Sequence, residues 1–189
     1  MRYRALIRLA RGDVAGALAD IENATERSRL IRDPQDILPA LSWRSLCLAL
    51  TGDAAGARAA LAELAEVEVG VEDLETMGPS SVVPAFALLE LGRRHDIPRQ
   101  VALGRTTNPW HDTVRAMGAG ELVGAADILG GIAGRSFEAH LRLRAAAELR
   151  SRGRVGDADT QLRRALAFYR GVRATAAIRE GEALLAVAS

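Results

Sequence analysis

The phrase RGDVAGALADI, Arg11 to Ile21, returns in loose form as TGDAAGARAAL from Thr51, AGELVGAADIL from Ala119 and RGRVGDADTQL from Arg152. Aligned on Gly12, Gly52, Gly120 and Gly153, the copies share more than a glycine. Five residues on stands an alanine (Ala17, Ala57, Ala125, Ala158), and nine on an aliphatic side chain (Ile21, Leu61, Leu129, Leu162). Twelve on come Ala24, Leu64, Ile132 and Ala165. A chain that keeps these offsets in four places is built from repeated units, and nothing else in it restricts the fold as much.

Each offset has a physical reason. Glycine closing a first helix can take the left-handed conformation that L-residues avoid, and a small or polar residue then opens a second helix. The alanine five on falls where two antiparallel helices cross closely. A larger side chain there overpacks by about 1–3 kcal/mol, so Ala125→Leu and Ala158→Leu should destabilise, with Ala174→Leu near the end mattering less. Residues nine and twelve on share one helical face. The unit is a helical hairpin that cannot bury its own face alone.

Gly52 and Gly120 are 68 residues apart, Gly120 and Gly153 are 33, and Gly12 and Gly52 are 40. With this register the chain resembles tetratricopeptide (TPR) repeats, whose period is about 34 residues. The large aromatic typical of the first helix in that family is mostly missing. The expected fold is all-α: an α-solenoid of antiparallel helix hairpins, a TPR-like right-handed superhelix of roughly ten to twelve helices. One domain over 1–189 is expected, with repeats at 1–33, 34–69, 79–105, 107–134 and 137–171 and a capping helix at 173–187. The degenerate copy between Gly52 and Gly120 falls in PSSVVPAFALLELGRRHDIPRQVALG: a helix to about Arg94, a turn, and a short helix entered through Pro98. The acidic stretch AEVEVGVEDLETMGP before it reads as a helix end and linker.

The first residues, MRYRALIRLA, enter a helix without an N-cap or a polar capping repeat, as expected of a chain that follows upstream repeats. The last segment reads as a final amphipathic helix through Ala177, Ile178, Leu184 and Leu185. Residues 143–186, LRAAAELRSRGRVGDADTQLRRALAFYRGVRATAAIREGEALLA, resemble the extreme C-terminus of large actinobacterial regulators. In these a signalling ATPase domain precedes a long helical-repeat tail, and relatives carry a nucleotide-cyclase or a LuxR-type DNA-binding domain. The resemblance implies a regulatory, protein-binding array, while the cytoplasmic location expected of the chain rests on its lack of a long apolar run. Its implied partners are a protein or peptide, or other domains of the parent regulator.

Composition narrows the remaining classes. Hydrophobic residues make up 49% and charged residues 26%, a balance that neither disordered chains nor membrane spans show. Apolar runs break well before the roughly 18–20 residues a spanning helix needs. The net charge of +1 gives no long-range attraction to nucleic acid or an anionic membrane, and neither is expected as a direct partner. Every basic residue is arginine, so the lysine of a phosphate-binding G-x-x-x-x-G-K-[ST] loop has no counterpart. The glycine-rich GAGELVGAADILGG from Gly118 is explained by its place in the repeat. His95, His111 and His140 are scattered without carboxylates at metal-ligand spacing and read as surface or groove residues. The lone Cys47, within SLCLAL, reads as a small buried hydrophobe. No G-x-S-x-G elbow occurs. No catalytic residue, metal or cofactor is therefore expected, and the chain reads as a non-enzyme.

Arg11-Gly12-Asp13 matches an integrin-recognition tripeptide, but other copies place Thr51-Gly52-Asp53 and Gly120-Glu121 there, which marks it as a turn. Glu63, Glu66, Glu68, Glu72, Asp73 and Glu75 read as a solvated face with a linker. Arg142, Arg144, Arg150, Arg152, Arg154, Arg163 and Arg164 alternate with Glu138, Glu148, Asp157 and Asp159, as on a salt-bridged surface. In arrays of this kind the first helices line the concave groove. Counting back from each glycine, the residues expected to face it are Ser42, Leu46, Trp110, Val114, Met117, His140 and Arg150. Trp43 is assigned to the core, while Trp110, after Pro109 at a helix start, suits packing and binding equally. A groove lined this way suits a protein or peptide; the alternative is a small molecule held by a helical ligand-sensing domain.

Overall fold

In a computed structural model the described residues are 2–68, 79–101 and 108–186. Among them the chain is helical throughout, with eleven α-helices, short 3-10 turns at 79–82 and Arg94–Asp96, and no strand. The all-α expectation holds. The helices are α1 (Arg2–Ala10), α2 (Val14–Ile31), α3 (Pro34–Thr51), α4 (Ala54–Glu68), α5 (Val83–Glu90), α6 (Ile97–Gln100), α7 (Pro109–Ala119), α8 (Leu122–Gly131), α9 (Arg135–Ser151), α10 (Val155–Val172) and α11 (Thr175–Ala186).

The repeated glycines end first helices in the left-handed conformation, as their spacing predicts: φ is +81° at Gly12, +85° at Gly52, +85° at Gly120 and +74° at Gly153. After α3, the Gly52 N–H donates to the Ala49 carbonyl at 3.1 Å and the Asp53 N–H to Leu48 at 3.0 Å. That pair of reversed bonds satisfies carbonyls the helix end would otherwise leave open. The same pair follows α9, from Gly153 to Arg150 and from Arg154 to Leu149, both at 2.9 Å. A fifth mark, missed in the sequence, is Gly92 at φ +68°, 40 residues after Gly52 and 28 before Gly120. It corrects the expected helix to Arg94: α5 stops at Glu90 because Gly92 turns the backbone over, and Arg94–Asp96 form a 3-10 turn instead. The short helix through Pro98 is present as α6.

Helix starts are equally local. Asp33 caps α3 by accepting from the Gln35 N–H at 2.9 Å, with Pro34 at the first helical position. Asn108 caps α7, accepting from the His111 N–H at 3.0 Å ahead of Pro109.

The chain divides into two compact units, Met1–Leu9 with Val14–Gly120, and Ala10–Asp13 with Glu121–Ser189. The repeat expected at 107–134 is therefore split, α7 in the first unit and α8 in the second. In the first unit α3 is the central helix, packed on α2, α4 and α5, and from Leu38 to Leu48 only Arg44 escapes burial. Helix α5 is buried without interruption from Val82 to Leu88, which explains why its sequence is apolar all round. Leu38, Leu41 and Leu64 form one cluster there, and Leu48, Ala57 and Ala60 another. In the second unit α9 and α10 pack along each other, flanked by α8 and α11. Their core joins Leu143, Ala146, Leu149, Leu162, Ala165 and Tyr169.

Ala17, Ala57, Ala125 and Ala158 are all completely buried, as helix crossings require. The aliphatics nine on are buried as well. Of the residues twelve on, Leu64 and Ala165 are buried and Ala24 and Ile132 half-buried. Ala174 is more enclosed than its place near the end suggests. It is fully buried within the second unit's core, and a Cβ built on Gly12 would lie 3.9 Å from it, so a larger side chain there has no more room than at Ala158. The linker expected after α4, with Glu72, Asp73 and Glu75, lies outside the described residues, as does part of the repeat at 79–105.

Candidate functional site

The seven residues expected to line a groove fall in different places. Ser42 and Leu46 on α3 are buried, and the Ser42 hydroxyl donates to the Leu38 carbonyl at 2.8 Å. Val114 and Met117 on α7 are buried too, at 1% and 0% exposure. These four present no side-chain area to a partner, which corrects their placement on a binding face. The error came from counting back along single helices: α3 has neighbours on three sides, a fact no local spacing contains. Trp110, in the first turn of α7, and His140, on α9, are half-buried and keep a solvent-facing part. Arg150 on α9 is drawn into an ion pair, its Nη1 donating to Asp159 Oδ1 at 3.1 Å. Trp43 is buried, in line with the core role assigned to it.

The alternating charges of the second unit do pair. Arg154 Nε donates to Asp157 at 2.7 Å, Arg170 to Glu182 at 2.9 Å, and Arg144 and Arg152 bind Glu180 and Glu148. Arg142 departs from the expected surface role, its side chain being 1% exposed. Its Nε donates to Glu138 Oε1 at 2.7 Å, Nη1 to Gln161 Oε1 at 2.6 Å, and Nη2 to Asp127 Oδ1 at 2.7 Å. Arg164 approaches the same two carboxylates at 3.3 and 3.5 Å. Helices α8, α9 and α10 each contribute, so one guanidinium ties three helices. The three acceptors take the guanidinium's Nε, Nη1 and Nη2 donors, so the arrangement holds helices together. Its chemistry is that of a tie. The Glu138–Arg142 spacing of one helical turn is legible in sequence, but the burial of Arg142 is not.

In the first unit Asp20 on α2 plays a related part. It is buried and accepts from Arg4 Nε at 2.8 Å, while Arg8 Nη1 lies 3.4 Å away. The hydrogen bond from Arg4, aided by the charges of Arg4 and Arg8 and opposed by burial, holds its carboxyl below the usual range. Cys47 is buried, and burial, reinforced by the negative charge of Glu22, pushes its thiol up to about 12. It packs as a hydrophobe. His111 is buried, contrary to the expectation of a surface or groove residue, while His95 is exposed, with Nε2 3.5 Å from Asp96. Among the described residues no cluster of His, Cys, Asp or Glu could hold a metal ion, and no helix is long and apolar enough to cross a membrane. Of the acidic run, Glu63 is taken by Arg29, whose Nε donates to it at 2.8 Å.

Cavities open on the surface among the described residues. One, of about 270 Å³, lies among α1, α2 and α3; another, of about 490 Å³, is lined by Arg11, Gly171, Val172 and Arg173 in the second unit. None of the seven expected residues lines either, so sequence reasoning missed both. The signal it passed over at the first was Tyr3, an aromatic side chain on a helix rich in arginine. Comparison of the chain with protein-family models, curated proteins and solved structures yields no match.

Proposed function

We propose that this chain is a non-catalytic, TPR-like protein-interaction module with a regulatory role, the C-terminal part of a larger cytoplasmic bacterial signalling or transcriptional regulator. One observation supports this above the others: a single hairpin register recurs, with every register alanine fully buried and every register glycine left-handed. The repeated positions serve helix packing alone, and function is left to the outward faces, which differ from copy to copy. Such a scaffold presents side chains to a protein or peptide, or to other domains of its parent. Trp110, His140 and the ion-paired Arg150, half-buried and on first helices, are the remaining members of the expected binding face.

Affinity capture from a lysate of the source cells, with wild-type, Trp110→Ala and His140→Ala chains as bait, tests this reading. A specific protein retained by the wild type and lost with either variant supports it. Capture of nothing, together with a compact metabolite that raises the melting temperature, would replace it with the ligand-sensing alternative.

A further inference from the structure

Two turns far apart in the sequence meet within the second unit: Ala10–Asp13, between α1 and α2, and the end of α10 with the step into α11, residues 171–174. A Cβ built on Gly12 would lie 3.9 Å from Ala174 and from Ala176, so the two turns touch. Arg11 and Arg173 immediately precede the touching residues, and both are exposed. Both also line the cavity of about 490 Å³, together with Gly171 and Val172.

Neither guanidinium has a hydrogen bond or an ion pair with another described residue. Elsewhere in this unit carboxylates answer the arginines: Glu180 holds Arg144, Asp159 holds Arg150 and Glu182 holds Arg170. The acidic residues of α11 are thus already engaged, and no Asp or Glu lines the cavity. Asp13, the one acidic residue of the two turns, is not among its walls. A cation just past a helix C-terminus is favoured in any case, and α1 and α10 both end here. That accounts for one arginine in each turn. It does not account for the two sharing an opening that carboxylates leave alone, where their like charges repel until an anion joins them.

A guanidinium is a planar fork of N–H donors whose spacing suits the oxygens of a phosphate or a carboxylate. Two such charges match a dianion better than the single charge of a carboxylate, and the volume is that of a small-molecule site. We propose that the cavity between these two turns binds a phosphate group in its dianionic form, held by Arg11 and Arg173. The site goes beyond the interaction-module reading and does not depend on it.

The test titrates the full chain with inorganic phosphate at constant ionic strength, so that screening alone cannot imitate binding, and follows backbone amide shifts by NMR. Saturable shifts are expected at Arg11 and Gly12 and from Gly171 to Arg173. Arg11→Gln and Arg173→Asn should each weaken binding at least fivefold, asparagine being chosen because it tolerates the left-handed φ of +59° at that position. Arg135→Gln, which removes an exposed arginine that lines neither cavity described above, should leave binding unchanged, and circular dichroism confirms that each variant is folded. Acetate should bind at least tenfold more weakly than phosphate. Phosphate should lose affinity below about pH 6, where its second proton returns, while sulfate, dianionic throughout, should keep it. A short peptide carrying one phosphoserine identifies the source: tighter binding than phosphate marks a phosphorylated chain, and equal or weaker binding a small phosphate compound. Equal binding of acetate and phosphate, shifts no larger at the two turns than around Arg135, or affinity indifferent to both variants would each overturn the proposal. A lysate partner lost with Trp110→Ala would survive any of these results, so failure here is distinguishable from failure of the module reading.

Discussion

Arg142 on α9 donates to Gln161 on α10 at 2.6 Å, with the guanidinium sealed from solvent. Gln161 stands eight residues after Gly153, and Asp20 stands eight after Gly12, where it accepts from Arg4. In the first and last copies this register position is a buried acceptor for an arginine of the preceding helix. In the second copy it is Ala60, fully buried. One geometric slot therefore takes a polar tie or a methyl group, according to what the facing helix offers.

Arg142→Ala should cost about 3–5 kcal/mol, because it opens a buried space, takes the donor from Gln161 and leaves Asp127 and Glu138 only the longer contacts from Arg164. Gln161→Leu leaves one N–H unpaired and should cost about 1–3 kcal/mol. Urea unfolding of both single variants and the double variant checks this, the double costing less than the sum because the pair couples. Strict additivity would mean that the bond contributes nothing specific.

Ala125→Leu, Ala158→Leu and Ala174→Leu should each destabilise by about 1–3 kcal/mol, since all three sites are closed. Ala59→Leu, on the exposed side of α4, should stay within about 0.5 kcal/mol of wild type. Melting temperatures of the four variants decide it, and a tolerant Ala174 would show that the core around α11 is looser than its burial indicates.

Left-handed residues supply a matched pair of opposite sign. Gly92 has open space where a Cβ would stand, so Gly92→Ala meets only the cost of handedness, about 1–2 kcal/mol. Ala133 already sits at φ +57° at the end of α8, and Ala133→Gly should stabilise by about 0.5–1 kcal/mol after the extra freedom of glycine in the unfolded chain is counted. Denaturant midpoints should move in opposite directions.

Asp20 sets part of the acid limb. Its folded carboxyl lies below the ordinary value of 3.8, so the unfolded chain binds more protons. The stability it contributes is complete above that value and is lost as pH falls through the folded one. Asp20→Asn should therefore be less stable than wild type near neutrality, and the gap should shrink as pH falls below about 4. Urea midpoints across the acid range check this; a constant gap would mean that Asp20 acts through shape and not through charge.

What was legible in the sequence was local. A left-handed glycine, an N-cap and a crossing alanine each depend on a few neighbouring residues, and Gly12, Gly52, Gly120 and Gly153 were placed correctly for that reason. Gly92 escaped because Ile97 replaces the alanine five on and Gly104 stands twelve on, leaving only the aliphatic Val101 nine on. The burial of Arg142, Ala174, Ser42 and Met117 depends on helices far along the chain, and no spacing within one helix reports it. The same holds for the exposed pair Tyr3 and Ile7, whose apolar character reads as core until the packing of α1 is known.

Around Gly52, Gly92 and Gly153 no atom beyond the glycine and its chain neighbours comes within 4 Å of where a side chain would begin. Crowding does not reserve these positions. Glycine is the one achiral residue in an otherwise single-handed polymer, and here it stands where the backbone must briefly adopt the mirror-image twist. The repeat is thus a periodicity of handedness before it is a periodicity of text. Further members of such an architecture would share a place where chirality is suspended, followed five residues later by the smallest chiral side chain, even where no letters in between agree.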